Sequence, residues 1–291
     1  MASSPTPATP TAERVRDEML QEAHDLVDEA RAQGISLRLI GGLGVREHCR
    51  TAELCARDYT DLDMVASAGD AHRLTELFAG FGYARNRAVS DATSNAQLQF
   101  VRPCAHDRQP TADRAVAGRP TAEHPHDGQP SAGHPHADDH IDVFLDTFRM
   151  DHDVALARRL EVDRYTVPLS DLLLTKLQIF KLNEKDLRDI VTLLADLEVG
   201  ERDDPDTIDG RYIARLCAAD WGLFYDVTTN LQRVGERLAA FDLTDAQQDR
   251  ARRGLARLIA AIDDSPKNLR WRLRARVGTR ASWRNELEEQ E

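Results

Sequence analysis

Leu37-Arg38-Leu39-Ile40-Gly41-Gly42-Leu43-Gly44, followed after a gap by Asp61-Leu62-Asp63-Met64-Val65-Ala66, is the stretch on which the fold turns. Residues 37–40 alternate like a short strand, the glycine pair interrupts it, and residues 43–48 take helical spacing. The second run is another strand candidate. Period-two alternation puts Leu62 and Met64 on one face and Asp61 and Asp63 on the other. Upstream, Val15, Met19, Leu20, Ala23, Leu26, Val27 and Ala30 predict a helix from Thr11 that stops at Gly34. Downstream, residues 71–81 read as a helix and Gln97–Val101 as a strand. Residues 140–148 read as a further strand, with Ile141, Val143 and Leu145 on one face and Asp142, Phe144 and Asp146 on the other. From Pro168 the pattern turns helical, over 170–180, 184–197, 209–219, 221–241, 244–263 and 266–276. The regular strand–helix alternation of a doubly wound sheet is missing, so the expected class is α+β. Residues 11–167 would form a small mixed sheet with flanking helices, and residues 168–291 an all-helical region with a basic C-terminal segment.

The chain has 291 residues, enough to bury a proper core. Its 38 Lys and Arg against 50 Asp and Glu leave a net charge of -12, which argues against a protein that coats nucleic acid over its whole surface. A local basic patch is still compatible with that balance. No run of eighteen apolar residues occurs, and Met1 to Arg14 lacks the basic and apolar regions of a signal peptide. The expectation is a cytoplasmic protein with no membrane partner. Cys49, Cys55, Cys104 and Cys217 make no CxxC pair, so neither a disulfide framework nor a cysteine zinc site is expected.

Residues 1–10 are Ser, Thr, Pro and Ala and read as a disordered tail. A second such stretch, 104–139, sits inside the α/β part and repeats the pattern G-(R/Q)-P-(T/S)-A-x-H-P-H. His124, His126, His134 and His136 could ligate a transition metal, and a metal-buffering protein would use them so. Without a cysteine or a fixed geometry beside them, a surface loop is the reading the composition favours.

Three features carry chemistry. Gly41-Gly42 lets the backbone turn tightly and approach a ligand, and the following helix start offers unpaired N–H groups to a phosphate. Asp61 and Asp63 on one strand face repel unless one is protonated or a cation lies between them, and Mg²⁺ suits carboxylate oxygens shared with substrate phosphates. Asp142 is a charge set between apolar neighbours. In order, these residues resemble the nucleotidyltransferase superfamily: a Gly-Gly or Gly-Ser turn, a downstream Asp-hydrophobic-Asp, and a third carboxylate on a later strand. Arg57-Asp58-Tyr59-Thr60 resembles the Arg-x-Thr segment that precedes the paired aspartates. Residues 168–194 are similar to the helical signature of the abortive-infection type, a group that includes toxins of toxin–antitoxin systems. The matching residues are Lys176 and Lys185-Asp186-x-x-Asp189. The interval between Gly42 and Asp61 is longer than that family's usual spacing.

The resemblance implies a nucleotidyltransferase-type sheet and a Mg²⁺- or Mn²⁺-dependent enzyme that moves a nucleoside monophosphate from an NTP to a hydroxyl. It implies Asp61, Asp63 and Asp142 as metal ligands and catalytic groups, with Asp146 as the other choice for the third carboxylate. Gly41, Gly42, Lys176, Asp186 and Asp189 would bind nucleotide, and an antitoxin would be a partner. Lys176 shares a helical face with Leu173 and Phe180. It is then either a snorkelling surface lysine or a cation aimed at phosphates and held by Asp186 or Asp189. Residues 267–284 hold Lys267, Arg270, Arg272, Arg274, Arg276, Arg280 and Arg284 beside Trp271 and Trp283, with no acid among them. That composition suits tRNA or another RNA, and equally a basic helix balanced by the Glu-rich run 286–291. Two rivals stand beside the RNA reading: transfer to a small molecule such as an aminoglycoside, and a non-catalytic nucleotide- or partner-binding chain.

Overall fold

In the computed structural model, residues 12–92, 96–102 and 140–285 are described. The tail 1–10, the His- and Pro-rich stretch 104–139 and the run 286–291 lie outside them, so the metal-binding reading of His124, His126, His134 and His136 does too. A five-stranded mixed sheet stands at the centre. Its strands are β1 (Leu37–Leu39), β2 (Leu62–Ala66), β3 (Ala84–Asn86), β4 (Gln97–Val101) and β5 (His140–Leu145), in the order β1-β2-β5-β4-β3. Only β2 and β5 are parallel, and the other neighbours are antiparallel. Helices supply the larger part of the remaining structure, so the class is α+β.

The alternation of the strands decides what covers each face. Leu62, Met64, Ala66, Ile141 and Val143 point one way and are buried with Leu26, Val27 and Ala30 of α1 (Ala12–Ala32). Leu74, Leu77 and Phe78 of α4 (Ala71–Gly80) complete that layer. Val65 and Phe144 point the other way, into a core made with α6 (Leu169–Leu177) and α7 (Glu184–Asp196). The same core runs on through α8 (Gly210–Ala219), α9 (Trp221–Arg237) and α10 (Asp245–Asp264). Phe148, Val154, Leu156 and Leu160 belong to it as well, so the apolar packing continues across position 168. Helix α11 (Leu269–Val277) follows at the periphery. Among the described residues no helix is long and apolar enough to cross a membrane.

Four details depart from the sequence reading. The helix expected over 43–48 begins at the glycines, as α2 (Gly41–Glu47), because Gly41 takes a φ of +68° that turns the chain out of β1. The strand expected over 140–148 is broken. Asp146 stands at a φ of +60°, its carboxylate accepts the Ala68 N–H at 3.0 Å, and the chain resumes as β6 (Thr147–Arg149), paired with β7 (Asp153–Ala155). The helical region also contains a short parallel pair, β8 (Glu198–Gly200) with β9 (Thr207–Asp209), packed under α10. Finally, Cys49 and Cys55 are joined by a disulfide, against the expectation of none. The four-residue helix α3 (Ala52–Cys55) folds the chain back and brings their Cα atoms to 6.6 Å, a closure that spacing without a CxxC pair does not reveal.

Candidate active site

The parallel pairing of β2 with β5 puts Asp63 directly opposite Asp142. Both side chains leave the sheet on the same face, so the two carboxylates crowd one another. Burial first, and then the Asp142 charge, push the Asp63 carboxyl up to about 6, while the Lys176 charge pulls it down. Asp61, just before β2, is more than half exposed at the mouth of the site and adds to the same negative field. Asp142 is held from its other side. Gln99, its register partner on β4, donates from Nε2 at 3.1 Å, and His140 Nε2 lies 3.4 Å from its second oxygen. His140 also stands 4.0 Å from Asp61.

The glycine pair is shaped by this neighbourhood. A Cβ on Gly41 would fall 2.3 Å from the Asp63 carboxylate, and one on Gly42 would fall 2.3 Å from the Arg57 guanidinium. Gly41 therefore admits the aspartate against the turn, and Gly42 admits the arginine. Arg57 stacks 4.2 Å above Tyr59 and donates to both oxygens of Asp189 at 3.0 Å. Between α2 and β2, residues 48–60 carry the extra length noted in the sequence. They are tied down at Asp196, which accepts from the N–H groups of Arg50 and Thr51 and from the Thr51 hydroxyl.

Helices α6 and α7 deliver the cation. Asn183 caps α7 by accepting the Asp186 N–H at 2.9 Å, which fixes the register of its first turn. Asp186 and Asp189, three apart, then share one face. Lys176 Nζ reaches both, at 2.9 and 3.0 Å, and only 13% of its side chain is exposed. Attraction to the two carboxylates raises the Lys176 ammonium pKa despite its burial, so it is charged. It is not a snorkelling surface lysine. Asp189, gripped by Lys176 and Arg57 together, links the helical part to the segment that leads into β2.

These groups line a cleft of about 250 Å³, walled by Gly42, Arg57, Tyr59, Thr60, Asp61, Asp63, Lys176, Asn183, Lys185 and Asp186. Asp142 stands one strand over from that wall, beside Asp63. Asp146 is elsewhere, committed to the turn after β5, so position favours Asp142 for the third carboxylate. A larger hollow of about 830 Å³, between β8, α8 and α10, holds none of the sequence candidates. His140 and Gln99 are neighbours that the sequence reading did not single out, and Lys185, named there only as part of the signature, lines the cleft as well. His140 was within reach, since it shares the strand face of Asp142 by period two. Gln99 needed the strand pairing.

Part of the basic segment is engaged by the fold itself. Trp271 Nε1 donates to the Cys217 carbonyl, and Trp283 Nε1 donates to Asp226. Arg284 is bound to Asp226 as well, and Arg274 to backbone carbonyls. Both tryptophan rings are engaged in edge contacts, with Phe224 and with Trp221 and Tyr225. No protein-family model matches the chain, and comparison with curated proteins gives no match.

Proposed function

We propose that the chain is a nucleotidyltransferase that moves a nucleoside monophosphate from an NTP to an acceptor hydroxyl, with Mg²⁺ or Mn²⁺ held by Asp61, Asp63 and Asp142. The observation that carries this reading is the meeting of Asp63 and Asp142 on adjacent strands, next to the Gly41-Gly42 turn and within the field of Lys176. The donor set suits a hard cation: all three ligands are carboxylates, and half-buried Asp63 is raised to about 6 by burial and by its neighbour. Among the described residues no three donors are gathered as a ready chelate. That is compatible with Mg²⁺, which keeps few protein ligands and fills its shell with substrate phosphates and water.

When bound, the cation supplies neutralisation of the triphosphate and of the charge developing on the leaving pyrophosphate. The rest falls to the chain's own residues. Lys176, pinned between Asp186 and Asp189, offers a fixed positive charge whose position needs no reorganisation as the phosphate charge shifts. Gly41 and Gly42 leave the backbone open to the phosphates. Asp142 either completes the metal site or accepts the proton of the attacking hydroxyl, and Gln99 fixes its orientation for that role. Lys185 stands at the mouth of the cleft, where an entering triphosphate would meet it.

The experiment is incubation of the full chain with each labelled NTP in turn, with and without Mg²⁺, against total RNA and against an aminoglycoside. Label transferred to RNA identifies a nucleic-acid acceptor, and label on the small molecule identifies the other class. Metal-dependent NTP binding with no transfer to any acceptor supports a nucleotide-binding chain instead.

A further inference from the structure

Helix α11 turns one face inward and leaves the rest uncovered. Its anchors are Trp271, edge-on to Phe224 at 5.1 Å, and Arg274, stacked 4.6 Å from Trp221 and bonded to the carbonyls of Gly278 and Ala281. Leu269, Leu273 and Val277, spaced by four, form a stripe well away from those anchors, at 70, 51 and 43% exposure. They are half of the six large apolar residues exposed among the described ones, so the stripe is a concentration and not scatter. At 100° per residue, Arg270 lies on one side of it and Arg272 and Arg276 on the other, and Arg280 follows in the next turn. None of these four guanidiniums meets a carboxylate among the described residues; Arg272 donates to the Lys267 carbonyl. In a chain of net charge -12, four arginines with no carboxylate partner among the described residues, set around an aliphatic stripe, run against the general balance. Beside the stripe a cleft of about 470 Å³ opens between α11 and the junction of α8 with α9, walled by Trp221, Trp271, Trp283, Leu273 and Val277.

We infer that α11 and this cleft form a docking surface for an acidic protein segment carrying aliphatic anchors, which enter the cleft while its carboxylates meet Arg270, Arg272, Arg276 and Arg280. Charge complementarity sets the sign of the partner, and the aliphatic stripe sets its class. RNA would use the arginines but has no use for the aliphatic stripe, and the face of Trp283 is already stacked by Arg284 at 4.2 Å. An amphipathic acidic segment uses both features together. The inference is independent of the catalytic reading.

The test uses the full chain and a fluorescein-labelled helical peptide of about 18 residues, made of Glu and Ala with leucines on one face. A permuted peptide of the same composition, its leucines spread around the helix, and an RNA oligonucleotide of similar length are the comparisons. Fluorescence anisotropy is expected to give micromolar binding of the first peptide and at least about tenfold weaker binding of the permuted one. Leu273→Asn, and separately Arg270→Ala with Arg276→Ala, should each weaken it about tenfold or more with the melting curve unchanged, since these side chains are exposed. Equal binding of both peptides, or none below millimolar, would overturn the inference. So would RNA binding that depends on the arginines and ignores Leu273, or a dimer in sedimentation that Leu273→Asn dissolves.

Discussion

Replacing Asp63 by Asn should make the metal-free protein more stable while abolishing transfer. The Asp63 carboxyl is raised from 3.8 to about 6, chiefly by burial and then by the Asp142 charge. Between those values the folded chain keeps the proton that the unfolded chain has lost, so this group's contribution to stability falls as pH rises through the window. A shift of about two units corresponds to roughly 3 kcal/mol of cost at neutral pH. Asn carries no charge to bury, and its amide can donate to the Asp142 carboxylate opposite. Urea unfolding in EDTA should therefore show Asp63→Asn ahead of the parent by up to about 3 kcal/mol near pH 7.5, shrinking to about 1 kcal/mol near pH 4.5. Asp171, also raised to about 6, titrates in both proteins and cancels in the difference. Adding Mg²⁺ should raise the parent's stability and leave the variant's unchanged. A variant no more stable than the parent at neutral pH, or a gain that persists undiminished in acid, would refute the reasoning.

Lys176→Ala should cost about 2–4 kcal/mol in urea unfolding, because Asp186 and Asp189 stay buried with only Arg57 to answer Asp189. Lys176→Arg should keep most of that stability yet lose much of the transfer activity, since the wider guanidinium cannot take a tight ammonium site. Gly41→Ala should destabilise the fold by about 1–3 kcal/mol, through the +68° φ and the clash with Asp63, whereas Gly42→Ala, without that φ, should act mainly by pushing Arg57 off Asp189. Asp142→Asn should abolish transfer, while Asp146→Asn should leave transfer intact and cost about 1 kcal/mol through the lost charge on the Ala68 N–H bond. Replacing 104–139 by a short Gly-containing turn should change the melting temperature by no more than about 3 °C, because Val101 and His140 are already register partners on adjacent antiparallel strands.

The parts of the fold written in periodicity are legible in the sequence. α1, α4 and the helices from 169 onward fall where apolar spacing predicts them, and Asn183 heads α7 as its capping chemistry demands. The pairing of Asp61 and Asp63 on one face follows from alternation, whereas the hold of Asp186 and Asp189 on Lys176 is one of two readings, the one the resemblance implies. What escaped depends on long-range closure. The break at Asp146 comes from a hydrogen bond to Ala68, far away in sequence, and the Cys49–Cys55 bond from a helix of one turn. The engagement of Trp271 and Trp283 by Cys217 and Asp226 is equally invisible in a string of basic and aromatic residues. Arg57 entered the sequence reading only as part of a lead-in motif. Its bond to Asp189, 132 positions downstream, is what ties the two parts of the site together.

The most direct test is transfer of α-³²P label from NTPs to total RNA or an aminoglycoside by the parent protein, Asp63→Asn and Asp142→Asn, each with Mg²⁺ and with EDTA. The account predicts that the parent, and only the parent with metal, yields a labelled acceptor, while all three proteins remain folded by circular dichroism. Labelling that survives in either variant or in EDTA, or folded parent protein that labels no acceptor with any NTP, would contradict it.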